Sequence, residues 1–416
     1  MASATKDLHD AIGSNNELGA MEALENGADP NEVDARGMNA LHLAARHGCR
    51  LGLFNLILSM IHNVNAVRDG GFTALMIAVN FNHLDMVVSL MNRTGINVNV
   101  QSVNNRTALH LAVLNNRPAI LAQLLRDYRV DTSLKDLSNS TPLKWAIDLG
   151  RPECAKILRE HEATERLRES LRSKNELGAL KALKDGADPN KRSGFYRWNA
   201  LHLAARHGCS LDLFGEILAG IDDVNALGEY QETALIISAH NGQTEIAEML
   251  IAHPRIDVNV RSNGGYTALM VAIERCQTKI AEMLIAHPLI DVNVKNSNYG
   301  DKPALHYAIL TSNPVPVPPA FPSGKVFIVN LLLNHPNIDA NAQDGRGKTA
   351  LHYAALKATE ESGFRAFIPM SLEDLKTNRK KQAGAIGGVG SFVIVFICLI
   401  LLVVIASKGG RRGVKR

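Results

Sequence analysis

Nine tetrads recur along the chain at nearly equal intervals, and their spacing restricts the possible folds more than any other feature. They are NALH at 39, TALM at 73, TALH at 107, TPLK at 141, NALH at 199, TALI at 233, TALM at 267, PALH at 303 and TALH at 349. Successive starts lie 34, 34, 34, 58, 34, 34, 36 and 46 residues apart. A period of 34 is one supersecondary unit, too small to bury an apolar face alone, so such units must stack on their neighbours. The third tetrad residue is Leu in all nine copies, and the residue three further on is Ala in eight and Ser238 in the other. These positions share one helical face and are small or branched enough to let adjacent units approach closely.

Residue chemistry marks the helix ends within each unit. Eight of the nine tetrads open with Thr or Asn, which predicts an N-cap whose side-chain oxygen accepts from first-turn amides; Pro303 is the exception. Nine residues after the start come Gly48, Asn82, Asn116, Gly150, Gly208 and Gly242, which predict a left-handed helix stop, whereas Cys276, Ser312 and Ala358 depart from the rule. A second amphipathic helix follows, as in LDMVVSLM or TEIAEMLI, and then an Asp/Asn-rich connection such as GADPN, DVNV or DANA.

Cap, short helix, stop, second helix and extended turn at this period resemble the ankyrin repeat, whose tetrad is usually Thr-Pro-Leu-His; here only Pro142 supplies the proline. The resemblance spans residues 5–370 and implies an all-α ankyrin-repeat solenoid of about 11 helix-turn-helix units. Two of those units, residues 5–36 and 165–196, lack the tetrad. The array is also duplicated: NELGA at 16 and 175, ADPN at 28 and 187, and NALHLAARHGC at 39 and 199 recur with an offset of 159 or 160. Two subarrays are therefore expected, 5–163 and 164–370, with a join near 158–168 where the fifth unit has lost about ten residues of its turn. Stacked units would form a rod with a long concave surface.

Residues 385–406, opening on Ala385 and closing on Ala406, run 22 positions without a charge, enough to cross a bilayer as one helix. A basic juxtamembrane linker at 371–384 and a basic tail at 407–416 flank it on both sides, so charge does not decide its orientation. The placement resembles that of tail-anchored proteins and implies a single-pass membrane protein with the array in the cytosol. Gly384 and Gly388 form a G-x-x-x-G that offers a contact for weak homodimerisation. Nine of the 45 Lys and Arg lie in residues 376–416, which hold no Asp or Glu, leaving the preceding body mildly acidic. Such a body lacks the basic footprint of a nucleic-acid binder.

No catalytic, cofactor-binding or metal-binding set is expected, and the chain does not read as an enzyme. His42, His110, His202, His306 and His352 fill the fourth tetrad position, where the family's His bonds around the cap, and His253, His287 and His335 recur in HPxID turns. The five cysteines have no metal-ligand spacing, and the Gly-rich run at 344–348 lacks that of a P-loop.

Turn tips of the second subarray, just before the tetrads, carry Phe195, Tyr196, Trp198, Tyr230, Tyr266 and Tyr299. Tyr196 and Tyr230 lie three residues before a start, Trp198 and Tyr266 one before, so equivalent side chains line up. Two readings are open: a ridge for a protein partner, since Tyr and Trp dominate binding hot spots, or rings packed on each other and on turn backbone. A Pro-rich insertion at 313–325, containing NPVPVPPAFP, fits either an SH3-type ligand or a stiff exposed loop. Taken together these features predict a membrane-anchored scaffold for protein–protein interaction. Bacterial effectors of the same architecture share the pattern, and a substrate-delivery subunit of an enzyme or channel complex is the remaining alternative.

Overall fold

The computed structural model describes residues 2–192, 194–310 and 324–362, which contain twenty α-helices. They form two compact units, one of residues 1–169 with 177–188, the other of residues 170–176 with those described from 189 onward. Short inner helices begin at each tetrad. In the first unit they are Ala40–His47, Ala74–Asn80, Ala108–Leu114 and Pro142–Asp148; in the second, Ala200–His207, Ala234–Asn241, Ala268–Glu274, Ala304–Leu310 and Ala350–Ser362. Outer helices such as Leu84–Met91 and Thr244–Ile251 pair with them.

The caps work as their chemistry demands. Asn39 Oδ1 accepts from His42 N at 3.1 Å, and Thr73, Thr233 and Thr267 accept from the amide three residues on at 3.2–3.3 Å. The stops hold at positive φ for Gly48, Asn82, Asn116, Gly150 and Gly242, and for Cys276 at 57°, so the geometry persists where the favoured residue does not; Gly208 also has positive φ, but its ψ of 152° lies outside the left-handed region. Ala358 makes no stop, because its helix runs on to Ser362. Ala78, Ala112, Ala204 and Ala272 on the inner helices are fully buried, which lets neighbouring helices touch along a smooth face. Ser238 substitutes for Ala because its hydroxyl donates to Leu235 O at 2.8 Å.

Polar side chains fix the repeat-to-repeat register. Asn31, Asn65, Asn99, Asn190, Asn225, Asn259 and Asn293 each donate to a carbonyl of the following connection and accept from an amide there. For Asn225 the partners are Arg255 O and Asp257 N, both at 2.8 Å. Asn293 makes the same pair with Asn337 O and Asp339 N, so the ladder passes over the extra residues of the tenth unit without a change of pattern. The tetrad histidines form a second line: Nε2 of His42, His110, His202 and His306 donates to a carbonyl of the next turn, at 2.9–3.2 Å. Nδ1 accepts from the cap's own N–H in the Asn39, Thr107 and Asn199 units. Pro303 has no N–H, and His306 Nδ1 is accordingly buried without a partner.

One continuous helix, Pro152–Arg172, spans the shortened fifth unit. It fuses the outer helix of the fifth unit with the inner helix of the sixth, since no Gly, Pro or Asn interrupts residues 153–172. Thr164 in it accepts from Asp188 N as Thr5 does from Asp29 N, which identifies it as the inner helix of a unit without a turn tip.

The turn tips carry the only strands among the described residues: Val67–Arg68 pairs antiparallel with Phe72–Thr73, and Lys295–Asn296 with Lys302–Pro303. The last two positions of the expected insertion, 324 and 325, lie in the helix Gly324–Asn334. The rest of that insertion, Gly384 and Gly388, and the span 385–406 lie outside the described residues. Among those described, no helix is long and apolar enough to cross a membrane.

Candidate partner-binding site

Each turn tip is a tight hairpin ending at a tetrad, and within each unit successive tips rest on one another. Four residues before the tetrad, an N–H donates to a carbonyl of the preceding tip: Asp69 to Arg36, Val103 to Gly70 and Leu137 to Asn104 in the first unit, Glu229 to Tyr196 and Asn263 to Tyr230 in the second, at 2.8–3.2 Å. This spacing aligns equivalent side chains on successive tips.

Most tips are braced from inside. Asp34, Asp136 and Asp344 each accept two amides of their own hairpin, and Ser102 and Ser262 accept one. The equivalent residues of the tips at 194–198 and 228–232 are Gly194 and Gly228, which have no brace to offer. At Gly228 the reason is packing: a Cβ there would stand 2.8 Å from Trp198 Cδ1 and 2.9 Å from its Nε1. Two residues before every tetrad the backbone is left-handed. Gly37, Gly71, Asn105 and Asn139 hold that place in the first unit; in the second, Gly265 and Gly347 do so on two tips, but Arg197, Gln231 and Asp301 adopt φ of 51–53° on the other three. A left-handed conformation costs an Arg or Gln about 1–2 kcal/mol relative to its usual regions.

The rings gather in two groups. Tyr196 stacks on Trp198 at 4.8 Å between centroids, Phe195 meets Tyr196 edge-on at 5.3 Å, and Tyr230 lies 6.0 Å from Tyr196. Tyr266 packs on Tyr299 at 5.4 Å and on Tyr307 at 5.6 Å. Exposure divides the expected site residues by register. Phe195 (69%), Tyr196 (47%), Tyr230 (44%) and Tyr299 (56%) face solvent, while Trp198 and Tyr266, one before the tetrad, are partly buried. Packing on neighbouring rings and backbone thus describes Trp198 and Tyr266, whereas the other four rings are open to solvent. Tyr266 and the buried Tyr307 exchange a hydrogen bond, Asn296 Nδ2 donates to Tyr307 Oη, and burial is the first cause raising both phenols.

Two exposed aliphatics fall in the register of Phe195 and Tyr299: Val103 and Leu137, on tips of the first unit, which composition alone did not single out. Met38, the counterpart of Trp198 in the duplicated segment, is buried as well.

Burial keeps four of the tetrad histidines and two of the thiols in their neutral forms. Burial holds His42, His110 and His306 below the usual imidazole range and takes His202 down to about 4. Burial also pushes the thiols of Cys49 and Cys209 up to about 11, away from the thiolate a nucleophile requires. Among the described residues no three His, Cys, Asp or Glu side chains gather as metal ligands.

An ankyrin-repeat family model of three copies matches residues 8–102, 90–168, 171–262 and 201–296, and one of many copies matches 320–362. A search of curated proteins gives no match.

Proposed function

The chain belongs to the ankyrin-repeat family, and from that premise we propose a membrane-held protein-binding scaffold whose second unit captures a partner on the exposed rings Phe195, Tyr196, Tyr230 and Tyr299. The observation that carries this reading is the coincidence on the tips at 194–198 and 228–232. Strained left-handed Arg197 and Gln231, glycines in place of the polar brace, and the exposed rings occur together. Backbone strain and lost bracing at a surface tip that keeps large apolar rings in water oppose stability, and such features persist where a partner covers them.

Membrane attachment is the second element of the proposal. It rests on the 22 uncharged residues 385–406 and their basic flanks. With the array in the cytosol, the scaffold acts by localisation: tethering confines the partner to a surface and raises its effective concentration there.

Proximity labelling with the full chain, against Tyr196→Ala/Tyr230→Ala in the same cells, tests the capture surface. A discrete set of proteins should vanish from the variant while membrane neighbours persist; identical sets would refute it. Alkaline extraction of the full chain and of one ending at residue 375 tests the anchor, which predicts that only the full chain stays with the membrane pellet.

A further inference from the structure

The duplication provides an internal control for a cleft in the second unit. It measures about 270 Å³ and is bounded by the end of the helix Pro152–Arg172, the turn after Ala200–His207 and the start of Thr244–Ile251. Ser170, Lys174, Glu176, His207, Cys209 and Gln243 line it. The corresponding residues of the first unit are Ala11, Asn15, Glu17, His47, Cys49 and His83. Three of the six have changed, and every change adds a hydroxyl, a cation or a flexible amide.

The backbone has changed with them. Gly48 ends its helix at φ 71°, ψ 44°, whereas its counterpart Gly208 has φ 77° and ψ 152°, which turns the following residue outward. Cys49 is consequently buried at 4% exposure, and Cys209 is only partly covered. Lys174 sits at φ 57° where the first unit has Asn15 at φ 56°. Asn tolerates that region and Lys is strained in it, so the substitution sacrifices stability to place an ammonium at the cleft. Lys174 has no ion-pair partner among the described residues. Glu176 is the one carboxylate present, and its Oε1 accepts from Ser210 N at 2.7 Å. Burial, then Arg206, Arg172 and Lys174, hold His207 below its usual range, while burial and then Glu176 raise the Cys209 thiol, so cations stand on the His207 side of the cleft and the carboxylate on the Cys209 side.

We propose that this cleft binds a phosphate monoester, with the Lys174 ammonium as counter-charge and the Gln243 amide, His207 imidazole and Ser170 hydroxyl as donors around its oxygens. A dianion with three acceptor oxygens suits one cation among several neutral donors. The unionised thiol of Cys209 makes this a binding site without covalent chemistry.

Cys209 reports on occupancy. The purified full chain is alkylated with iodoacetamide and each thiol is quantified by mass spectrometry, with exposed Cys276 as internal reference. O-phospho-L-serine should slow Cys209 about ten-fold at about ten times its Kd, leaving Cys276 unchanged, and chloride at equal ionic strength should do nothing. Lys174→Asn and Gln243→His, the residues the first unit uses, should abolish protection while circular dichroism and the melting profile stay intact. Protection by both the free amino acid and a phosphoserine peptide supports a site that reads the phosphoryl group alone, and protection by the free form only supports a metabolite site. Absence of protection at about 10 mM, ten times a Kd of about 1 mM, or protection retained in both variants, overturns the proposal.

Discussion

The turn tips of the two units share one hairpin and one set of inter-tip hydrogen bonds, yet they solve the same backbone problem differently. In the first unit the left-handed position is given to Gly37, Gly71, Asn105 and Asn139, which reach it at little cost. In the second, Gly265 and Gly347 hold it on two tips but it falls to Arg197, Gln231 and Asp301 on three, and the tips with Arg197 and Gln231 also lack the internal Asp or Ser, as does the first unit's tip with Arg68 at that position. The side chains differ in parallel: Val103 and Leu137 project from the first unit, aromatic rings from the second. Since the core beneath both is the same pattern of Leu and Ala, the contrast locates where stability has been relaxed and leaves the scaffold out of it.

The largest effect should show that the cores are equivalent. Leu41→Ala and Leu201→Ala, both at essentially buried tetrad positions, should each destabilise their unit by roughly 2–5 kcal/mol and by similar amounts in denaturant unfolding. A clear inequality would mean that the units differ beneath their tips as well. Next comes acid. A histidine whose folded pKa lies below its unfolded value takes up its proton first in the unfolded chain, so stability is intact above about pH 6.5 and falls as pH drops. For His202 the loss should develop between 6.5 and about 4 and reach on the order of 3 kcal/mol, with His42 titrating in the same direction. Replacing His202 with Gln should flatten that part of a stability-against-pH curve.

Gly228→Ala should cost roughly 1–3 kcal/mol and shift Trp198 fluorescence, because the added methyl meets the indole. Unchanged emission would remove the packing explanation for the missing brace. The smallest effect sharpens the comparison most directly: Arg197→Gly and Gln231→Gly should each stabilise by about 1 kcal/mol, whereas Asn139→Gly should change melting very little. Equal responses at all three would show that the second unit's tips are not strained relative to the first.

Much of this architecture was legible beforehand, because caps, stops and the small-residue face are local chemistry repeated at a fixed interval. Cys276 shows the limit of that reading: its neighbours impose a left-handed stop that its own side chain does not favour. The fused helix Pro152–Arg172 was visible as missing residues, but the continuity of the helix depends on the absence of any breaker between two helices and not on a positive signal. The asparagine ladder escaped notice for a different reason. Its donors recur plainly in the connections, but its acceptors are backbone carbonyls one repeat away, and a carbonyl has no letter in the sequence. At the candidate site, register identified the right tips without telling outward rings from inward ones. That distinction depends on what the next repeat places beside the residue one before the tetrad: Trp198 lies against Gly228 of the next tip and Tyr266 against Tyr307 of the next inner helix.

The ladder rung from Asn293 to Asn337 and Asp339 closes with the same two bonds as every other, although 44 and 46 residues separate its ends instead of the usual 30 and 32. Alignment between neighbours is therefore blind to chain length within a repeat. A doubling of loop length adds only about 0.6 kcal/mol of closure entropy, so the connection between the two helices of the tenth unit is a docking port for evolution. New peptide can be spliced in there, and lengthened or recoded, without the rest of the array having to register the change.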